Sequence, residues 1–191
     1  MDIDAFFDAQ FSEHLAVAGK TAKDLRAPFG ALVAACTAAI RGGNKIMFFG
    51  NGGSAADAQH LATELTVRFT KDRAPIAGLA LTTDSSALTA IGNDLGFEEL
   101  FARQVAALGK PGDVAIGITT SGNSANVVRA LETARGMGLT AAAFTGNKGG
   151  AVKSVADPVL IVPSDVTARI QEMHIMIGHM LCDVLEQTCG R

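Results

Sequence analysis

Short apolar runs and helix-spaced stretches take turns along this chain. Five runs, at residues 45–50 (KIMFFG), 76–82 (IAGLALT), 113–118 (DVAIGI), 140–144 (TAAAF) and 158–162 (PVLIV), are too short for helices and read as strands. Between them, residues 54–69, 84–91, 98–108, 123–137, 150–156 and 167–188 carry helical patterns. Strands that alternate with helices make βαβ units, which close right-handed and place helices on both faces of a parallel sheet. The alternation therefore predicts an α/β fold, a three-layer α/β/α sandwich with a five-stranded parallel sheet. The first forty residues read as helix. A second amphipathic run through Leu25, Phe29, Leu32, Val33, Cys36 and Ile40 ends at Arg41-Gly42-Gly43. One domain over 1–191 follows, with a helical segment at about 1–41 and an α/β core at about 45–191. Ligands of such sheets sit at the carboxyl ends of the strands, which directs attention to the loops after Gly50 and Ile118.

Composition narrows the partners. The 191 residues are 48% hydrophobic and 18% charged, which excludes a disordered chain. A net charge of −3 gives no global positive field for nucleic acid or an anionic membrane, so an anionic ligand must be held by local geometry. Tyr and Trp are absent, which argues against a base-stacking surface. The 21 glycines exceed the usual ~7% and imply many tight turns. Cys36, Cys182 and Cys189 have no metal-binding spacing and fit a reducing cytoplasm. The acidic N-terminus lacks the basic start of a signal peptide, and the longest apolar stretch, 30–40, is short for a membrane span. A cytoplasmic protein that binds neither nucleic acid nor membrane is expected.

Four segments carry chemistry. Gly50-Asn51-Gly52-Gly53-Ser54 joins a strand to a helix, where glycines let the backbone approach a ligand and the helix N-terminus favours an anion. The same segment also reads as a plain glycine turn with Ser54 as N-cap. Thr119-Thr120-Ser121-Gly122-Asn123-Ser124 packs four hydroxyls before another helix, a cradle suited to a phosphate monoester. Its plainer reading is a polar turn capped by Ser124. His60 and Glu64 share a helix face at i, i+4, as an acid/base or metal pair or as a common surface pair. On the last helix, His174 and His179 stand among Met and Ile, where a core histidine is the ordinary expectation. His14 reads as solvated.

Taken together, these segments resemble the sugar isomerase (SIS) domain superfamily and, within it, the phosphoheptose isomerase family. The resemblance runs over nearly the whole chain. It is carried by Gly50-Asn51-Gly52-Gly53-Ser54-Ala55-Ala56-Asp57-Ala58-Gln59-His60, by Ala90-Ile91-Gly92-Asn93-Asp94, by Thr119-Thr120-Ser121-Gly122-Asn123-Ser124-Ala125-Asn126, and by Arg169-Ile170-Gln171-Glu172 with His179. It implies the aldose–ketose conversion of sedoheptulose 7-phosphate to D-glycero-D-manno-heptose 7-phosphate, the first step toward the heptoses of lipopolysaccharide. It also implies one zinc per subunit and a homotetramer with active sites between subunits. Carried over by position, Asn51, Gly52, Gly53, Asn93 and Asp94 bind the sugar, and Thr119, Thr120, Ser121 and Ser124 the phosphate. Glu64 is the base and His179 its acid/base partner, both near the substrate with Gln171. His60, Glu64, Gln171 and His179 ligate zinc. Thr119 stands where relatives often have Ser, which keeps the hydroxyl, and the stretch 163–168 departs from the family pattern and takes no role.

Spacing adds one constraint. Gln171 and His179 lie eight residues apart, ~12 Å of rise and ~80° of rotation on a straight helix. One metal is reached by both only through extended side chains or a neighbouring subunit, and His174 is better spaced from Gln171. The rival readings are a non-catalytic SIS protein that associates with the replication initiator, an isomerase of another sugar phosphate such as arabinose 5-phosphate, and a regulatory sugar-phosphate-binding module. Retention of Glu64 with His60 and His179 favours the enzyme. The final helix, apolar at Met173, Ile175, Met176, Ile177 and Met180, predicts burial against other copies.

Overall fold

The computed structural model describes residues 1–190. Two helices lead, α1 (Ile3–Asp24) and α2 (Arg26–Arg41). Asp2 caps α1, its Oδ1 accepting from the Ala5 N–H at 3.2 Å. The alternation then begins: β1 (Ile46–Gly50), α3 (Gly53–Thr66), β2 (Gly78–Ala80), α4 (Ser85–Asp94), α5 (Ala102–Leu108), β3 (Val114–Thr119), α6 (Ala125–Gly136), β4 (Thr140–Thr145), β5 (Val159–Ile161) and α7 (Thr167–Cys189). Short 3₁₀ turns occupy Phe97–Glu99 and Ala151–Ser154.

The five strands pair in parallel in the order β2-β1-β3-β4-β5. Phe48 of β1 faces Ala80 of β2 and Ile116 of β3 across the sheet, and Ile116 faces Ala142 of β4. Every residue of β1 and of β3 is buried, because helices cover both faces. Alternate side chains feed two cores. Ile46, Phe48, Ile116 and Phe144 join α2, α3 and α7, whereas Met47, Phe49, Ala115 and Ala143 join α5 and α6. The predicted three-layer sandwich and its N-terminal helices stand.

Several predicted boundaries shift, with the helix expected over 54–69 ending at Thr66, the one over 84–91 running to Asp94 and the short helix over 150–156 reduced to the 3₁₀ turn, and two elements change most. The run at 76–82 yields only three strand residues, because β2 is an edge and the chain before it is tied to the end of α3: the Ile76 N–H donates to the Leu65 carbonyl at 3.0 Å. The predicted helix over 98–108 breaks at Leu100 and Phe101. Both drop into the core, and the Phe101 ring settles 5.4 Å from Phe49, a packing gain that overrides local helical preference.

Candidate functional site: a crevice between β1 and β3

Strand order reverses between β1 and β3. The chain leaves β1 for the layer of α2 and α7, and leaves β3 for the layer of α5 and α6, so the two outgoing loops part and open a crevice. After β1 the chain turns at Gly52, with φ 57° and ψ −121°, a backbone that favours glycine. That turn makes Gly52 the N-cap of α3. Ser54, expected as the cap, lies inside the helix and is buried, its N–H donating to the Asn51 carbonyl at 3.0 Å. The cap falls earlier because only the glycine accepts the turn.

On the other side, β3 ends in the hydroxyl loop. Thr119 Oγ1 lies 3.0 Å from Ser124 Oγ and 3.5 Å from Ser121 Oγ, and Ser121 Oγ accepts from the Asn123 N–H at 3.1 Å. Ser124 occupies the N-cap position of α6 but makes no side-chain capping bond. Its hydroxyl turns instead toward Thr119, so three hydroxyls gather over an uncapped helix N-terminus. The Thr120 carbonyl accepts from the Gly146 N–H at 3.1 Å and from Asn147 Nδ2 at 3.2 Å, which anchors the loop to the end of β4.

The third element is the seam between α3 and α7. The helices run alongside each other in the same direction: Gly53 meets Gln171, Leu61 meets Gly178, and His60 meets His179. A Cβ on Gly178 would stand 2.5 Å from Leu61 Cδ2, so the missing side chain permits the close approach. The next residue, His179, places its Nε2 2.8 Å from His60 Nε2. Glu64 Oε1 lies 3.3 Å from the same His60 nitrogen, and ligand atoms of all three fall within 4.8 Å of one another. The Phe69 ring lies 5.5 Å from His179 and walls one side. Asp57, one turn before His60, has a buried Oδ2 with no partner, and burial raises its pKa while His60 and His179 pull it down.

Other expected residues are placed differently. Gln171 lies at the loop end of the seam: a Cβ on Gly53 would stand 2.5 Å from its Nε2, seven residues back along α3 from His60. Asn93 and Asp94 end α4 exposed, and Asn93 Nδ2 donates to Asp94 Oδ1 at 2.8 Å. His174 is no neighbour of the seam. Its Nε2 donates to the Thr145 carbonyl at 3.1 Å in the core, and burial lowers its pKa to about 4. His14, expected to be solvated, is half-buried against α7, with Nδ1 2.8 Å from Glu172 Oε2. Arg169 joins that contact, reaching Glu172 and the Gln10 carbonyl and tying α1 to α7.

Two arrangements escaped sequence reasoning, because neither has a local pattern. Glu186 near the end of α7 accepts from the backbone N–H groups of Phe69, Thr70 and Lys71, from the Thr70 hydroxyl and from Arg73 Nε. Arg73 in turn donates to the Glu64 and Leu65 carbonyls at 2.7 and 2.8 Å, closing the C-terminus of α3. The second joins the crevice walls. Asn51 Nδ2 donates to Asn126 Oδ1 and Asn126 Nδ2 to Asn51 Oδ1, both at 2.9 Å.

A parallel sheet with its crevice at the strand-order reversal and a hydroxyl loop on one wall defines the class. The family model described as SIS domain matches residues 10–146, and the chain belongs to that family. Within it, the chain is one of the phosphoheptose isomerases. It is 59% identical over 190 residues to the phosphoheptose isomerase of Paramagnetospirillum magneticum, covering 100% of this chain and 99% of the relative. The solved phosphoheptose isomerase of Neisseria gonorrhoeae superposes with a TM-score of 0.90 at 42% identity, covering 97% of this chain and 99% of the other. That of Francisella tularensis superposes with a TM-score of 0.94 at 37% identity, covering 98% and 100%.

Proposed function

We propose that the chain isomerises sedoheptulose 7-phosphate to D-glycero-D-manno-heptose 7-phosphate, a cytoplasmic step that supplies heptose for lipopolysaccharide. The observation that carries the reading is the seam cluster, in which His179 of α7 meets His60 and Glu64 of α3, the helix that starts from one wall of the crevice whose other wall holds the hydroxyl loop. Thr119, Thr120, Ser121 and Ser124 with the N-terminus of α6 bind the phosphate and fix the pose. Asn51, Gly52, Gly53 and Gln171 line the sugar end.

Glu64 has one oxygen near His60 and a side chain 20% exposed, so it remains open to substrate. Its carboxylate removes the proton from the first carbon and returns it to the second, while His179 gives a proton to the second oxygen and takes one from the first. Two imidazoles and a carboxylate with converging ligand atoms are a donor set that fits zinc. His60, Glu64 and His179 would hold it, with Gln171 as a further donor, and when bound it supplies positive charge for the anionic intermediate.

The reading includes a homotetramer with active sites between subunits. Ile3, Phe6, Phe7, Phe11 and Leu15 leave one face of α1 apolar and exposed, and Met176 and Met180 do the same on α7, beside a 280 Å³ groove lined by Leu25, Phe29 and Met173. Asn93 and Asp94, exposed at the end of α4, then serve a neighbour's crevice. Light scattering should report a tetramer, and a monomer at micromolar concentration would remove the shared site.

The test of the activity is direct. Purified protein incubated with sedoheptulose 7-phosphate should give the aldoheptose phosphate by NMR. Absence of product and of hydrogen exchange at the substrate carbons, in zinc-loaded protein, would overturn the reading.

A further inference from the structure

The two walls of the crevice are held by unlike means. The hydroxyl loop is anchored to the end of β4, the glycine loop runs straight into α3, and the strand-order reversal sends the helices to opposite layers. Nothing in the sheet ladder beyond Gly50 and Ile118 spans the opening between β1 and β3. One polar contact does: the paired carboxamides of Asn51 and Asn126, 75 residues apart. Asn126 lies in the first turn of α6, two residues after Ser124, and is 2% exposed. Its amide therefore has no water to exchange with, and the reciprocal bonds fix the plane of both side chains. Asn51 retains one N–H and one lone pair for a ligand, aimed by its partner.

We propose that Asn126 is a positioning residue that locks the sugar-side loop to the phosphate-side loop, so that phosphate seated on α6 sets the orientation of Asn51. The proposal rests on the isomerase reading for its kinetic consequences but has a signature independent of turnover. Asn126 contributes no hydroxyl to the anion cradle, so phosphate affinity is separable from the coupling. A reciprocal amide pair is also specific in its protons. A carboxylate at 126 still accepts from Asn51 Nδ2 but sets an anionic oxygen against Asn51 Oδ1, whereas its protonated form restores both bonds.

Three measurements test it. In the wild type, inorganic phosphate should slow amide deuterium exchange both in residues 119–127 and in residues 50–56. In Asn126→Ala it should still slow exchange in 119–127, with phosphate affinity within about twofold of wild type, while protection of 50–56 is lost. With sedoheptulose 7-phosphate, kcat should fall about 10- to 100-fold, the range expected for lost alignment, with KM changed less than kcat. In Asn126→Asp, the ratio of its kcat to that of wild type should rise as pH falls from about 8 to about 5.5, because protonation of the new carboxyl rebuilds the pair. If Asn126→Ala does not fold, Asn126→Asp carries the exchange test as well, with protection of 50–56 weaker at the higher pH. Equal protection of 50–56 in variant and wild type, or unchanged kcat alongside a lowered melting temperature, would reduce Asn126 to a structural pin and overturn the proposal. A wild type with coupled loops but no turnover would instead refute the isomerase reading.

Discussion

Glu64 and Glu186 both lie along the seam where α3 meets α7, and they differ in nearly everything but side-chain type. Glu186 is 3% exposed and saturated: three backbone N–H groups, one hydroxyl and the Arg73 guanidinium fill its lone pairs. Its desolvation is more than offset by those donors, and its pKa is lowered to about 2. Glu64 has one histidine nitrogen at 3.3 Å and an open approach. A carboxylate whose lone pairs are all spoken for can only hold structure; one left incompletely partnered at a crevice is available to a substrate. Arg73 links the two, because it binds Glu186 through Nε and the Glu64 carbonyl through a terminal nitrogen.

Substitution at each carboxylate should separate the roles. The largest effect is expected from Glu64→Gln, which keeps shape but cannot accept the proton. Turnover should fall about 10²–10⁴-fold, while phosphate affinity and melting temperature stay near wild type. Hydrogen exchange at substrate carbons in deuterated water reads this, and near wild-type turnover would erase the distinction. Glu186→Gln should act in reverse. Leaving Arg73 buried without its counter-charge should cost on the order of 3–5 kcal/mol in denaturant unfolding, with losses in activity following unfolding.

Smaller effects sharpen the contrast. Ser121→Ala and Ser124→Ala should each weaken phosphate binding by about 1.5–3 kcal/mol in titration, the worth of one hydrogen bond to a charged group, and leave the melting temperature almost unmoved. The pH dependence of stability reads the structural side of the contrast. Both Glu186 and His174 titrate lower in the fold than unfolded, so each contributes stability that is lost as pH falls. The His174 contribution fades from about 6.5 toward about 4, and that of Glu186 from about 4.5 toward about 2. Thermal melts across this range should decline in that order, and in Glu186→Gln the lower stage should shrink to the share of Asp113, whose pKa is lowered despite burial by hydrogen bonds from Lys45 and Lys110. An acid profile unaltered by that substitution would remove Glu186 from the pH response.

The sequence made the sheet legible because buried parallel strands are continuous apolar runs, as KIMFFG and DVAIGI are. Edges were less legible. The run at 76–82 is apolar up to Thr82, yet only Gly78–Ala80 takes up strand register with β1, with Ala77 and Leu81 adding one hydrogen bond each to that strand. At the site, the glycine turn, the hydroxyl loop and the His60–Glu64 spacing were all readable, since each is local. What joins them is not. The meeting of His60 with His179, the Asn51–Asn126 pair and the Glu186 clamp span 119, 75 and 113 to 117 residues, and no periodicity encodes contacts at such separations. The cap of α3 was misplaced for a different reason. Serine is the better cap by propensity, but the backbone of the turn admitted only Gly52 at that position.

The contact of Gly178 with Leu61 acts on the site as a shim of zero thickness. The His60 and His179 rings meet one residue away from the point where the Leu61 side chain rests on the bare backbone of Gly178, space that a methyl would fill. A chain that drifts to alanine there keeps all three seam side chains and loses the dimension between them. The spacing of the three seam side chains is thus inherited from helix packing, and a census of site residues alone would miss the change.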